Sequence, residues 1–248
     1  MKNKRVVIAS LVLAAALLGL IAPHLVKSNK GSSSTTFSSS PRLALIVDGL
    51  YESYPNDTLI DVLKGILESH GFTVHVVKGR SAGPELFKSI TKYSVIVLRV
   101  HGGYMVSGSG RIIGGLFTGA PWSTKYLSWA REGLVAEGVP VYPPLRGPKV
   151  FVALLPKFFE TYLSGRFPPG AVMIAGGCYT ALDKHLVSAM CGRGLWAYIG
   201  FSNTIKLSDL DALLPRILDL SLSMREGGQL GKISSLYPGL KVYICGKR

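Results

Sequence analysis

The chain has 248 residues, enough for one substantial domain with a large core plus an appendage. Its formal charge is +14, but residues 1–40 hold five basic residues and no acidic one, which leaves 23 basic against 14 acidic residues, or +9, on the remainder. A basic surface suits nucleic acid or an anionic membrane, yet there is no zinc-ligand spacing, run of basic residues or RNA-binding aromatic signature, so no nucleic-acid partner is expected. Three cysteines exclude a disulfide scaffold, and their spacing fits no metal site; neither metal nor cofactor is expected.

Val6 to Val26 carries no charge, and Lys2, Lys4 and Arg5 precede it. About 20 apolar residues span a bilayer, whereas the apolar core of a signal peptide is about 7–15 long. Residues 1–27 therefore read as a cytoplasmic N-terminus and single-pass transmembrane helix. The positive-inside rule then puts the rest outside the cell membrane; the alternative is secretion after signal cleavage. Residues 28–41, with Gly31–Thr36 and Ser38–Ser40, read as a flexible tether. Residues 42–248 are the folded domain.

From Leu43 onward, strand-like and helix-like segments alternate. Leu43–Val47 is a strand ending at Asp48-Gly49. Thr58–Ser69 has a helical apolar period, with Asp57 as N-cap and Gly71 at C′. Phe72–Val77 is a second strand, and Pro84–Thr91 a short helix. Ser94–Val100 is an apolar strand running into His101-Gly102-Gly103. Apolar pairs flank Ser107-Gly108-Ser109-Gly110, which fits a hairpin turn better than a nucleotide loop. A helix is expected over Lys125–Val135, a proline-rich loop over Val139–Pro148, an apolar stretch over Lys149–Leu155 and a helix over Pro156–Leu163. Ala171–Gly177 is a strand running into Cys178. A helix follows over Asp183–Met190, a strand over Leu195–Phe201, a closing helix interrupted at Pro215 over Ser208–Met224, and a short strand at Lys241–Ile244. This order is that of a doubly wound α/β domain.

The strands before His101 and Cys178 are short apolar runs bounded by glycine, the pattern of strands buried in a parallel sheet. Chemistry in such sheets sits outside the carboxyl ends of the strands. His101 and Cys178 both fall there, and together they supply a thiolate nucleophile with an acid/base partner. Cys191 and Cys245 either bridge in an oxidising compartment or are buried small hydrophobes, the second being preferred. His185, on the helix after Cys178, is a weaker candidate partner.

An apolar strand ending in His-Gly (Val95–Gly102), followed by one ending in Gly-Cys (Val172–Cys178), resembles the caspase-like cysteine peptidases. That superfamily includes caspases, metacaspases, legumains, gingipains, clostripain and separase-type domains. The Gln-Ala-Cys of caspases and the Asp-x-Cys of metacaspases are absent, and Gly176–Ala181 is closer to the prokaryotic and separase-related branches. The resemblance covers residues 42–205. It implies a three-layer α/β/α sandwich with a mostly parallel central sheet, and a peptide or protein substrate. It makes Cys178 the nucleophile and His101 the proton carrier, with the amides of Gly102 or Gly103 and of Cys178 as the oxyanion hole.

Asp48 ends a strand on the same edge. It is expected either to hold the His101 ring or to attract a basic side chain just before the cleaved bond; a turn-forming Asp-Gly pair is the plain alternative. The chain is thus expected to be a membrane-anchored cysteine endopeptidase. The alternatives are an inactive tethered binding or processing module, a transpeptidase with the same acyl-enzyme, and an amidotransferase-like hydrolase. In the last, histidine normally follows cysteine, whereas His101 precedes Cys178.

Overall fold

A computed structural model describes residues 42–140, 144, 146–224 and 227–246. The expected membrane span and serine-rich tether lie outside the described residues, as does part of the proline-rich loop. Among the described residues no helix is long and apolar enough to cross a membrane.

In chain order the elements are β1 (Leu43–Asp48), α1 (Asp57–Ser69), β2 (Thr73–Lys78), α2 (Pro84–Phe87), β3 (Val95–Arg99), β4 (Gly102–Val106), β5 (Ile112–Pro121), α3 (Leu127–Arg131), β6 (Val135–Gly138), β7 (Phe151–Leu154), α4 (Pro156–Tyr162), β8 (Val172–Gly176), α5 (Lys184–Gly192), β9 (Ala197–Phe201), α6 (Leu207–Ser223), α7 (Gly227–Leu230) and β10 (Leu240–Ile244). Six strands form one sheet in the order β10-β9-β8-β3-β1-β2, parallel except for β10. Four more, β4-β5-β7-β6, form an antiparallel sheet inserted between β3 and β8. The protein is an α/β protein with a mostly parallel main sheet.

Alternate residues of each central strand face opposite sides, and both sides are covered, which is why these strands read as unbroken apolar runs. On one side Leu45, Val47, Ile96, Leu98 and Met173 pack with Phe87, Phe158 and Phe159 of α2 and α4, and with Leu186 and Met190 of α5. On the other, Ala44, Ile46, Val97 and Ile174 pack with Leu63 and Leu67 of α1 and with Leu210, Leu214 and Ile217 of α6. The expected hairpin is present: Ser107 N–H donates to the Arg111 carbonyl at 2.9 Å across the β4–β5 turn.

Three local expectations change. Asn56 rather than Asp57 caps α1, accepting from the Leu59 N–H, while Asp57 pairs with Lys78 at 2.6 Å. The helix expected over 125–135 stops at Arg131, because Gly133 takes a φ of 71° and turns the chain into β6. Pro215 does not interrupt α6. Interior proline costs about 3 kcal/mol, and the buried Leu210, Leu213, Leu214, Ile217 and Leu218 outweigh it.

Cys191 and Cys245 are disulfide-bonded, with Cα atoms 5.1 Å apart, rather than merely buried as expected. The antiparallel register of β10 on β9 is the cause. It sets Ile244 opposite Ala197, and the Cys245 N–H donates to the Trp196 carbonyl at 2.8 Å, which delivers Cys245 to the end of α5. The bridge closes a loop with a sequence separation of 54. Replacing both cysteines by alanine should lower unfolding free energy by about 2–4 kcal/mol in urea titrations, with the earliest hydrogen exchange in β10.

Candidate functional site

The main sheet reverses direction between β1 and β3. The chain steps outward from β1 to β2, then returns to the far side of β1, and such a switch point opens a crevice at the carboxyl ends. Asp48 of β1 is level with Arg99 of β3, and Arg99 is level with Gly176 of β8. His101 and Cys178 each lie two residues beyond that line on neighbouring strands. Both line one cavity of about 480 Å³, walled also by Leu50, Ile205, Leu207 and Tyr237.

Two glycines let the strand ends close up. A Cβ on Gly102 would collide with the Cys178 carbonyl oxygen, and one on Gly177 with that of Val100. The Phe117 N–H donates to the His101 carbonyl at 3.0 Å, which makes Gly102–Leu116 a non-hydrogen-bonded pair of the β4–β5 ladder. The Gly102 N–H therefore points away from β5, whereas Gly103, opposite Gly115, is engaged in the ladder. The Cys178 N–H makes no backbone hydrogen bond among the described residues. Of the expected oxyanion donors, Gly102 is turned away from β5, Cys178 makes no backbone bond among the described residues, and Gly103 is engaged in the ladder.

The Cys178 thiol is the one cysteine outside the disulfide. Its Sγ accepts from the Ile205 N–H at 3.4 Å and lies 3.7 Å from the Ile205 carbonyl. The turn beneath it is fixed by buried Thr180, whose hydroxyl donates to the Ala175 carbonyl at 2.6 Å and accepts from the Phe201 N–H at 3.1 Å. The Tyr198 hydroxyl donates to the Thr180 carbonyl at 2.7 Å. Tyr179, next to Cys178, has a φ of 58°, a conformation uncommon outside glycine. It turns the chain sharply off β8, and its ring meets Tyr104 edge-on at 5.0 Å.

The His101 ring packs against Tyr54, Phe117 and Phe151, with the Phe151 centroid 5.2 Å away. Its Nε2 is buried and has no hydrogen-bond partner. Burial, and then the positive charge of Arg99, lower its pKa from 6.5 to about 4. The imidazole is neutral at physiological pH, and no hydrogen bond joins it to Cys178.

Asp48 takes neither expected role. It is fully buried, and Arg99 Nη1 donates to its two carboxylate oxygens at 2.9 and 3.2 Å. The Leu50 N–H donates to Oδ1 at 3.1 Å. Burial raises the carboxyl pKa, with Arg99 pulling the other way. The other side of Arg99 is held by Asp211 of α6, Nε to Oδ1 at 2.7 Å and Nη2 to Oδ2 at 3.0 Å. Asp48 does not line the cavity. Its partners are Arg99 and the Leu50 N–H rather than His101, so the motive for a basic specificity is gone.

His185 lines a separate cleft of about 650 Å³ with Arg111, Lys157 and Asp183. The other two described histidines make local hydrogen bonds: His75 Nδ1 meets the Tyr93 hydroxyl at 2.9 Å, and His70 Nδ1 meets the Ile66 carbonyl at 2.9 Å. Among the described residues no cluster of three His, Cys, Asp or Glu side chains could hold a metal ion. Arg99, Asp211 and Thr180 were not singled out from sequence. A signal existed for Arg99, a charged residue closing a buried apolar strand, because such a charge requires a partner. No protein-family model matches the chain, and no curated protein is significantly similar to it.

Two outcomes follow from the electrostatics. The folded His101 pKa lies below its unfolded value, so the unfolded state binds more protons between pH 4 and 6.5. Stability should therefore rise with pH across that window and be complete above it, by at most about 3 kcal/mol. His101→Gln should flatten the profile measured by denaturation, and the imidazole resonance should titrate near 4. Arg99→Met should cost about 3–5 kcal/mol, because it leaves Asp48 buried without its cation, and adding Asp48→Asn should recover part of the loss.

Proposed function

We propose that the chain is a caspase-like cysteine endopeptidase, anchored to the cell membrane with its catalytic domain outside. The observation that carries this is the shared cavity. A thiol outside the disulfide and a neutral imidazole with an unpartnered Nε2 line one space, and the amides of Gly102, turned away from β5, and of Cys178, with no backbone bond among the described residues, belong to the same lining. The main sheet, with helices on both faces and the two residues at adjacent carboxyl ends, supports the three-layer caspase-like reading.

In this mechanism Cys178 Sγ attacks the peptide carbonyl carbon while its proton passes to His101. The carbon–sulfur bond forms, and the carbonyl oxygen takes the negative charge facing the Gly102 and Cys178 N–H groups. His101, now protonated, gives the proton to the amine as the carbon–nitrogen bond breaks. Water then attacks the thioester, one of its protons passing through His101 to the departing sulfur. A neutral resting imidazole fits this order, since it must accept a proton before it can donate one.

The apolar, uncharged run Val6–Val26 supports the anchor, and the Cys191–Cys245 disulfide supports an oxidising exterior. The test is a peptide-library cleavage assay on the full-length chain. Cys178→Ala should abolish turnover, and His101→Ala should lower kcat/KM by about 10²–10⁴-fold, both with unfolding midpoints near the parent's. Undiminished cleavage by purified Cys178→Ala, or no cleavage by the parent, would leave a binding module or another enzyme class in its place.

A further inference from the structure

We infer that the cavity beside Cys178 binds an apolar side chain, Leu- or Phe-like, on the residue whose carbonyl is attacked. This rests on the peptidase reading above and goes beyond it by naming the substrate class. The apolar walls of the cavity include Leu50, Val100, Ile205, Leu207 and Leu210, with the rings of Tyr54 and Tyr237. About 480 Å³ accommodates a large aliphatic or aromatic side chain together with the peptide backbone.

The charges around the cavity argue the same way. Lys206 is the sole permanently charged lining residue described, and it is a cation. It would repel a substrate lysine or arginine instead of pairing with it. The nearby carboxylates are committed elsewhere: Asp48 and Asp211 to Arg99, and Asp209 to the Tyr237 hydroxyl at 3.0 Å. Lys206 is exposed, so water and salt weaken its attraction for an acidic side chain. A carboxylate lodged among the leucines would have the hydroxyls of Tyr54 and Thr204 and the main chain as donors in place of bulk water, and burying its charge with only neutral donors is unfavourable. Apolar burial against these walls needs no partner. Asp48 could have reversed this preference only if it faced the cavity, and Arg99 prevents that.

The test uses four peptidyl acyloxymethyl ketones that differ only at the residue bearing the ketone: Leu, Phe, Lys or Asp. Cys178 Sγ displaces the carboxylate, the carbon–sulfur bond forms as the carbon–oxygen bond breaks, and the thiol proton leaves through His101. Intact mass of the full-length chain gives the labelling rate. The Leu and Phe probes should label Cys178 about 10- to 100-fold faster than the Lys and Asp probes. Leu207→Glu, at the partly buried first position of α6 where an acidic residue suits the helix, should raise the Lys-to-Leu rate ratio at least about 10-fold. Labelling by the Lys or Asp probe as fast as by Leu overturns the apolar pocket and leaves the peptidase reading standing. Cys178 left unlabelled by all four probes, in protein shown to be folded, overturns the peptidase reading and this inference with it.

Discussion

The guanidinium of Arg99 fixes the carboxyl edge of the main sheet. It joins the last residue of β1, through Asp48, to Asp211 on α6, and it also donates to the Tyr54 carbonyl at 2.9 Å. The Asn56 amide closes the network by donating to Asp211 at 2.9 Å. Two strands, a helix and the loop after β1 are thereby pinned to one planar fork, and a fork with five donors in fixed geometry positions its partners more sharply than an ammonium could. A buried ion network is not in itself a source of large net stability, since desolvation offsets much of the attraction. Its contribution here is positional. The same charge also acts on the chemistry: it stands behind His101 and disfavours the imidazolium, and it withdraws Asp48 from the cavity.

The antiparallel sheet between β3 and β8 has a matching role. β4 begins at Gly102, directly after His101, so the histidine sits at the joint between the two sheets. Phe117 of β5 and Phe151 of β7 press on the imidazole and remove its water. Asp183 holds this sheet to the main domain with one carboxylate, accepting from the Gly114 N–H at 2.9 Å while capping α5 through the His185 N–H at 2.8 Å. Without the insertion, His101 would stand at an open strand end with an ordinary, hydrated imidazole. The inserted sheet thus contributes to the neutral state of His101 as well as to the burial of its ring.

Much of this was legible in the sequence. A strand covered on both faces must be apolar throughout, so β1, β3, β8 and β9 announce themselves, and the rule that chemistry gathers at carboxyl ends marks His101 and Cys178 as candidates that share one cavity. What was not legible depends on register. Asp48 reads as a free carboxylate at a strand end until Arg99 is known to lie directly across from it, and that pairing joins positions 51 residues apart. The Cys191–Cys245 bridge likewise depends on how β10 lies on β9. At Pro215 a local rule predicts a break, but burial of one whole face of α6 overrides it. Local propensity and pattern are written in short windows of sequence, whereas the partner of a buried charge is not.

Four departures from ordinary protein structure lie close to the cavity. Tyr179 holds a left-handed backbone, His101 Nε2 is buried without a partner, and Gly102 and Gly177 admit approaches that no other residue could. The first costs on the order of 1–3 kcal/mol and an unsatisfied buried nitrogen a similar amount. None of these lies in the packed faces beneath, where the hydrophobic clusters are continuous. A fold with stability as its sole constraint would relax them: a glycine at 179 relieves the backbone, and a leucine at 101 suits a pocket of Phe117 and Phe151. A left-handed tyrosine, a buried nitrogen without a partner and two close backbone approaches beside one cavity are local costs of the kind that functional sites carry.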